Sequence, residues 1–126
     1  RAAIIENGSP LFSGGTSSGE SQIRRWLLDK DLIEAIIALP TDLFYNTGIA
    51  TYIWVLSKNK REERKGKIQL IDASNIYHKL RKALGNKKNE ITPKIVPKLH
   101  IFMLISKKMS YAKFTKMRNL CTVNIL

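Results

Sequence analysis

The sequence predicts an α/β fold built on a doubly wound, mostly parallel sheet with an antiparallel hairpin at its edge. Two observations support this prediction. Apolar runs at residues 32–39 and 50–56 have the composition of central strands, and residues 2–39 follow the strand, loop, helix, strand order of a βαβ unit. The chain has 126 residues, a length that suits one domain with a modest core.

The first three elements are predicted from turn residues and apolar spacing. A strand is expected at residues 2–6, followed by a turn-forming loop over residues 7–20. Ser17 and Glu20 have the spacing of a capping box, and apolar residues then recur at helical intervals, which predicts a helix over residues 19–30. In a βαβ unit of this kind the crossover should be right-handed, and the strands at 2–6 and 32–39 are expected to be parallel neighbours.

The second half of the chain is predicted to contain one more strand and one more helix. Residues 67–73 form the strand, and its short connection to the strand at 50–56 favours antiparallel pairing, which gives the edge hairpin. Ser74 is expected to cap a helix that Gly85 ends. Residues 86–92 are predicted to be a linker, and residues 93–126 have no clean periodicity of either kind.

Charge is distributed unevenly along the chain, whose formal net charge is +12. Residues 1–57 contain four basic and six acidic side chains, whereas residues 58–126 contain eighteen and four. A basic half is typical of proteins that contact a polyanion such as nucleic acid, although a lysine-rich surface also serves solubility alone. The candidate phosphate contacts are Lys58, Lys60, Arg61, Arg64 and Lys65.

Several classes of protein are disfavoured by composition. The single cysteine, Cys121, excludes an internal disulfide, and no cysteine and histidine cluster with zinc-ligand spacing is present, so no metal site is predicted. No apolar run approaches the roughly 20 residues of a bilayer span. The protein is therefore expected to be cytoplasmic and away from membranes. Because the chain begins with Arg1 inside a strand-like run, we expect it to be a fragment that continues upstream.

The glycine-rich segment at residues 13–20, SGGTSSGE, allows two interpretations. Backbone amides at a helix start bind anions, which would suit a nucleotide phosphate. The segment matches neither GxGxxG nor GxxxxGK[ST], and Glu20 in the first helical turn would repel a phosphate. A flexible connection is the favoured interpretation.

A polar and aromatic loop, TDLFYNTGI at residues 41–49, connects the two apolar strands. Phe44 and Tyr45 offer flat faces, and Asn46 and Thr47 beside them offer hydrogen-bonding groups. Either the rings pack against the sheet edge and surface, or they bind a ligand.

Four stretches, IIENGSPLFSGG, ESQIRRWL, EAIIALPTDLFYNTGIATYIWVLS and KGKIQLIDAS, resemble the modification subunit of type I restriction-modification systems. The resemblance covers residues 1–92 and implies the C-terminal portion of an N6-adenine DNA methyltransferase catalytic domain with a Rossmann-like sheet. It implies S-adenosylmethionine as cofactor, adenine N6 in DNA as methyl acceptor, and the specificity and restriction subunits of the system as partners. The rival prediction is a small basic nucleic-acid-binding module without catalytic activity, which would bind salt-sensitively through residues 58–67 and 79–88.

The resemblance also defines which parts of the site this chain should contain. The family's cofactor-binding glycine loop and its NPPF-type catalytic loop have no match here, so no catalytic or cofactor-binding residue is predicted and the isolated chain is expected to be inactive. In related adenine methyltransferases an aromatic residue of the corresponding loop packs against the flipped adenine. The resemblance therefore implies that Phe44 or Tyr45, with Asn46 and Thr47 adjacent, contacts the target base.

Residues 93–126 do not resemble the family and contain no acidic residue. Their abundance of Lys, Ile, Asn, Met and Phe is typical of AT-rich DNA translated in a shifted frame. Sequencing the encoding DNA tests this hypothesis, which requires a family-like continuation in another frame.

Overall fold

The computed structural model describes residues 1–15, 17–97, 111–113 and 124–125. Within these residues the main sheet is mixed and has six strands, with one longer helix beside it. A hairpin forms a second sheet of two strands. The elements in chain order are β1 (Ala2–Asn7), α1 (Ser9–Phe12), α2 (Gly19–Asp29), β2 (Ile33–Ala38), β3 (Thr51–Leu56), a 3-10 turn (Glu62–Arg64), β4 (Lys67–Asp72), β5 (His78–Leu84), β6 (Lys87–Glu90), β7 (Tyr111–Lys113) and β8 (Asn124–Ile125).

Strands β2 and β3 form the centre of the sheet, as their apolar runs predict. The sheet order is β1-β3-β2-β4-β7-β8. Ile37 and Val55 belong to a core cluster on one face, and Ile33 and Trp54 belong to a second cluster. Burying each large aliphatic side chain contributes roughly 1.5–3 kcal/mol, so these two strands supply much of the stability.

The predicted pairing of the first two strands is wrong. β1 and β2 run in the same direction, but β3 lies between them and pairs antiparallel with both. Asn7 is opposite Thr51, and Ala38 is opposite Tyr52. The apolar pattern predicts that a strand is buried, but it does not specify which strand lies beside it.

The predicted hairpin of β3 with β4 is also wrong. β4 pairs parallel with β2, with Ala38 opposite Asp72. The loop after β3 crosses the start of β2, where Ser57 N donates to Leu32 O at 2.8 Å and Gly66 N donates to Asp31 Oδ2 at 2.9 Å. These bonds carry the chain to the far side of β2. One of the five strand pairings in the described part of this sheet is parallel, so the sheet is mixed.

Helix α2 has nearly the predicted length, but its cap is shifted by one residue. Ser18, and not Ser17, is the N-cap, and its hydroxyl accepts a 3.3 Å hydrogen bond from Ser21 N. The loop before it contains the short helix α1, which has Pro10 in its first turn, a position where the missing proline N–H costs nothing.

The predicted helix at residues 74–85 and the linker after it are wrong, because this segment forms the β5–β6 hairpin. Gly85 and Asn86 make its two-residue turn between Leu84 and Lys87, which pair. Gly85 has φ +62°, and glycine with positive φ in the first turn position is typical of a type II′ hairpin. This backbone geometry overrides the helical spacing of Ile76, Leu80 and Leu84.

The edge strand β1 is exposed along its whole length, including Ile4 and Ile5. No helix in the part of the chain that the structure describes is long and apolar enough to cross a bilayer. Most of the tail predicted at residues 93–126, with Cys121, lies outside the described residues.

Candidate functional site

Three strands of the sheet end on the same side. Asn7, Ala38 and Asp72 close β1, β2 and β4, and the strand register aligns them with the start of antiparallel β3. We call this side the carboxyl edge and the opposite side the amino edge. In open α/β sheets, ligands bind outside the carboxyl ends of the strands, which makes the carboxyl edge the first place to examine.

The loop predicted to bind the base lies at the carboxyl edge. Residues 41–49, which we call the aromatic loop, follow β2 and lead into β3. Tyr45 is 63% exposed and Phe44 is half-buried. Asn46 is exposed and Thr47 is half-buried. The structure therefore brings all four predicted base contacts together on one solvent-facing loop.

The aromatic loop is held in shape by its own residues. Asp42 adopts the left-handed conformation with φ +56°, which aspartate tolerates better than most residues. Its amide donates to Gly48 O at 3.4 Å, and a Cβ on Gly48 would lie 2.5 Å from Asp42 Oδ1. Ile49 N donates to Thr47 Oγ1 at 3.4 Å, and Leu43 packs on the core. The two ends of the loop are thus closed onto each other.

The β5–β6 hairpin holds the aromatic loop from outside. Asn86 N donates to Tyr45 O at 3.0 Å, and the amides of Lys88 and Asn89 donate to Asp42 O at 2.9 and 3.0 Å. The buried Asn89 side chain donates through Nδ2 to Thr41 O at 3.0 Å. Backbone hydrogen bonds of this kind fix position better than contacts between mobile side chains do, so loop and hairpin form one unit.

Two lysines of the hairpin place positive charge on the aromatic loop. Lys87 Nζ lies over the Tyr45 ring, 4.9 Å from its centroid, within the range of a cation–π interaction. Lys88 Nζ lies 3.6 Å from Asp42 Oδ2. Lys87 thus lies over one face of the Tyr45 ring.

The five predicted phosphate contacts lie at the other side of the sheet. They follow the end of β3 and precede β4, at the amino edge. Six residues of strand separate the two edges, which is roughly 20 Å. The structure does not bring the predicted phosphate contacts together with the predicted base contacts.

Two of these five side chains form ion pairs inside the fold. The side chain of Lys60 is 2% exposed, and its ammonium group forms an ion pair with Asp31 and donates to Lys67 O at 3.1 Å. Arg64 is 11% exposed and donates to the buried carboxylate of Glu34 at 3.0 Å. Lys58, Arg61 and Lys65 are exposed. The five phosphate contacts stay a prediction, with the side chains of Lys60 and Arg64 held in ion pairs inside the fold.

Sequence reasoning missed the hairpin and one aromatic residue. The Gly85-Asn86 dipeptide is a hairpin signal that the helical spacing around it obscured. Phe12 is 76% exposed and packs edge-on against Tyr52, with ring centroids 6.3 Å apart. Tyr52 lies at the carboxyl edge opposite Ala38. No pattern in the sequence placed Phe12 near this edge.

The glycine-rich segment leads into the start of α2. The Ser18 hydroxyl occupies the space that a Cβ on Gly14 would need, so the segment is folded onto itself. Hydrogen bonds from the Glu20 backbone amide and from Ser18 lower the pKa of the Glu20 carboxyl group. This carboxylate already takes the anion position at the start of α2. No cluster able to hold a metal ion occurs among the residues that the structure covers.

A cavity of about 630 Å³ lies away from the aromatic loop, between β1 and α2. Its walls include Ile4, Ile23, Leu27 and Trp54, and the indole Nε1 of Trp54 has no hydrogen-bond partner within residues 1–15 and 17–97. None of the predicted site residues lines it.

Comparison with known proteins identifies the family. The model of the family described as N-6 DNA Methylase matches residues 1–124. This range extends past residue 92, so the predicted boundary there stays a prediction. A crystal structure of the methyltransferase subunit of a type I restriction-modification system from Streptococcus thermophilus superimposes with a TM-score of 0.69 at 28% identity. That match covers 85% of this chain and 20% of the other.

Curated relatives agree with the family match. The MjaVIII methylase subunit of a type I restriction enzyme from Methanocaldococcus jannaschii is 49% identical over 79 residues, which is 63% of this chain and 13% of that protein. The HindI methylase subunit from Haemophilus influenzae is 33% identical over 115 residues, which is 91% of this chain and 25% of that protein. The chain thus spans a quarter or less of these relatives. It belongs to the N-6 DNA methylase family, among the methylase subunits of type I restriction enzymes.

Proposed function

We propose that this chain forms the base-facing part of a DNA methyltransferase that transfers a methyl group from S-adenosylmethionine to N6 of adenine. One observation carries the proposal, namely that the aromatic loop presents the exposed Tyr45 beside the half-buried Phe44 at the carboxyl edge while its backbone is fixed on both sides. In the complete protein, we propose that the mixed sheet continues as a doubly wound, Rossmann-like sheet. The cofactor and the NPPF-type loop come from outside these 126 residues.

The proposed task of the aromatic loop is to receive an adenine turned out of the duplex. Base flipping costs a few kcal/mol, and stacking on an aromatic side chain returns roughly 1–3 kcal/mol per base. Because the hairpin already orders the loop, little further entropy is lost on binding. Asn46 carries an amide donor and acceptor, the pair that matches the adenine edge, and Thr47 adds a hydroxyl group.

The proposed partners follow from the family. They are duplex DNA, a specificity subunit that reads the target sequence, and a restriction subunit. Because the sequence matches neither the cofactor-binding glycine loop nor the NPPF-type loop of the family, the isolated chain is expected to transfer no methyl group. The rival function, a basic module without catalysis, requires instead that the isolated chain binds DNA tightly and salt-sensitively.

The test uses a full-length methylase subunit that carries this sequence, assembled with its specificity subunit. Phe44→Ala, Tyr45→Ala and the double variant are compared with Trp26→Ala, which removes an exposed ring from α2. Single-turnover methylation and the fluorescence of 2-aminopurine at the target position report on transfer and flipping. We expect the variant that lacks the stacking ring to lose about 5- to 160-fold in rate, the equivalent of 1–3 kcal/mol of stacking.

A folding defect is separated from a binding defect by two controls. Melting temperatures of all variants are measured, and Tyr45→Phe and Phe44→Tyr, which keep the ring, should retain the rate. A double variant that methylates as fast as Trp26→Ala would reject the base-contact role of the aromatic loop.

A further inference from the structure

The β5–β6 hairpin carries a dense positive charge beside the aromatic loop. Between Asp72 and Glu90 the chain has no acidic residue, but it has five basic residues, Lys79, Arg81, Lys82, Lys87 and Lys88. Lys87 lies over Tyr45 and Lys88 pairs with Asp42. The other three are exposed, and no ion pair engages them within the part of the chain that the structure describes.

The hairpin is anchored at both ends. Ile76 before β5 and Ile91 after β6 pack on the core cluster of the sheet. At its tip, Asn86 is bonded to the Tyr45 carbonyl, and a Cβ on Gly85 would lie 2.7 Å from the same oxygen. The positive φ of Gly85 and this close approach both require glycine. A hairpin fixed at base and tip keeps its basic strand beside the aromatic loop.

We propose that the β5–β6 hairpin is a DNA-backbone clamp in which Lys79, Arg81 and Lys82 bind phosphates flanking the nucleotide presented to the aromatic loop. This inference rests on the proposed function. The flipped nucleotide stays attached to its strand, so its flanking phosphates must lie near the group that receives the base. The hairpin is the basic element found there, whereas Lys58, Arg61 and Lys65 lie at the amino edge, roughly 20 Å away along β2.

A solvated surface would not need this arrangement. Charges kept only for solubility can lie anywhere on the molecule, but these are mounted on an element whose backbone holds the aromatic loop through Asp42 and Tyr45. Phosphate contacts fix the register of a protein on DNA without reading sequence. Clamping the backbone and stacking the base from one rigid unit would couple the two events.

The test measures how DNA affinity depends on salt in the full-length methylase subunit assembled with its specificity subunit. Single variants Lys79→Gln, Arg81→Gln and Lys82→Gln and the triple variant are compared with Lys30→Gln. Lys30 is exposed and follows α2 near the amino edge, so it is a matched single-charge control. Each phosphate contact contributes about 0.9 to the slope of log K against log salt.

We expect each single hairpin variant to lower the slope by about 0.9 and the triple variant by about 2.7, with Lys30→Gln unchanged. Specific and unrelated duplexes should weaken equally, because phosphates carry no sequence information. Lys79→Arg and Lys82→Arg should restore the slope. Melting temperatures identify any variant that fails to fold. If the triple variant fails to fold, the salt slopes of the three single variants test the clamp.

The outcomes separate this inference from the proposed function. If the triple variant keeps the wild-type slope while the unaltered subunit methylates DNA, the clamp is wrong and the proposed function stands. Loss of specificity-subunit assembly with an unchanged slope also overturns the clamp, because the hairpin would then bind protein. If the unaltered subunit transfers no methyl group to DNA, the proposed function fails.

Discussion

The amide of Asn86 donates a 3.0 Å hydrogen bond to the carbonyl oxygen of Tyr45 and so joins the tip of one hairpin to the middle of the aromatic loop. Forty-one positions of sequence separate the two residues. The bond lies next to Gly85, whose positive φ brings the turn close to the same carbonyl. The position of the Tyr45 ring therefore depends on a turn far away in the chain.

Gly85→Ala should displace the aromatic loop. The new Cβ would lie 2.7 Å from Tyr45 O, and φ +62° is unfavourable for alanine by roughly 1–2 kcal/mol. Gly66→Ala is the matched control, because Gly66 has φ +66° but no atom within 4 Å of its Cβ position. Hydrogen exchange of residues 41–49 should rise in Gly85→Ala alone, and methylation should fall with it.

Both variants carry the same backbone penalty, so both should lower the melting temperature. Equal hydrogen exchange of the aromatic loop in the two proteins would show that the Gly85 contact does not hold the loop.

The positions of β2, β3 and β4 were predictable from this sequence because a buried strand requires a run of apolar residues. β2, β3 and β4 lie within one residue of their apolar runs, since a strand covered on both faces must be apolar throughout. The order of the strands in the sheet was not predictable, because it depends on the loop after β3 crossing the start of β2. That route is set by Asp31, which accepts from Gly66 N and pairs with Lys60, and such a contact has no local signal.

The candidate site was predictable to the same extent. The loop that carries Phe44 and Tyr45 follows from its turn residues, because these prevent a strand from continuing there. The hydrogen bonds from Asn86, Lys88 and Asn89 to the aromatic loop could not be predicted. The apolar residues of 74–85 fit one face of a helix, but the turn at Gly85 makes the segment a hairpin. Backbone hydrogen bonds between distant segments leave no trace in side-chain spacing.

Lys60→Met should lower stability without changing DNA binding. Lys60 is buried and pairs with Asp31, and removing one hydrogen-bond partner of a charged group costs roughly 1.5–3 kcal/mol. Lys58→Met is the control, because Lys58 is exposed and substitutions at such positions change stability by about 0.5 kcal/mol or less. Thermal unfolding and the salt dependence of DNA affinity are both measured.

The two lysines should thus behave in opposite ways. A salt slope lowered by about 0.9 in Lys58→Met would identify Lys58 as a phosphate contact, whereas Lys60→Met should leave the slope unchanged. A reduced slope in Lys60→Met at a temperature where the protein is folded would instead identify Lys60 as a phosphate contact.

Asp72 should make stability depend on pH in the acid range. Hydrogen bonds from the Ser74 hydroxyl and the Ser74 amide lower the pKa of its carboxyl group from the usual 3.8. A lowered pKa in the folded state stabilises the protein above the unfolded-state value, and this contribution is lost as pH falls through the folded value. The melting temperature of Asp72→Asn should be lower than wild type at pH 6, and the difference should shrink below pH 3.8.

Ser74→Ala removes the hydroxyl hydrogen bond, which contributes most to the lowered pKa of Asp72. Stability should then depend less on pH in the same acid range. A difference between wild type and Asp72→Asn that is as large at pH 2.5 as at pH 6 would contradict the assignment, because protonated Asp72 resembles asparagine.

Glu34 and Arg64 should show strong energetic coupling. The Glu34 carboxylate is 2% exposed and accepts 3.0 Å hydrogen bonds from Arg64 Nη1 and Arg1 Nη2. Glu34→Gln keeps the shape but removes the charge, which should lower stability by roughly 1.5–3 kcal/mol, the scale of hydrogen bonds to charged groups. A double-mutant cycle with Arg64→Met should give a coupling above about 1 kcal/mol, within the range for residues in contact.

The exposed pair Arg61 and Glu63 provides the control cycle. Its atoms are 4.0 Å apart and its side chains are 69% and 66% exposed, so its coupling should be about 0.2–1 kcal/mol. The contrast follows from burial, because water screens the exposed pair and is excluded from Glu34. Equal couplings in the two cycles would mean that Arg64 is held by contacts other than Glu34.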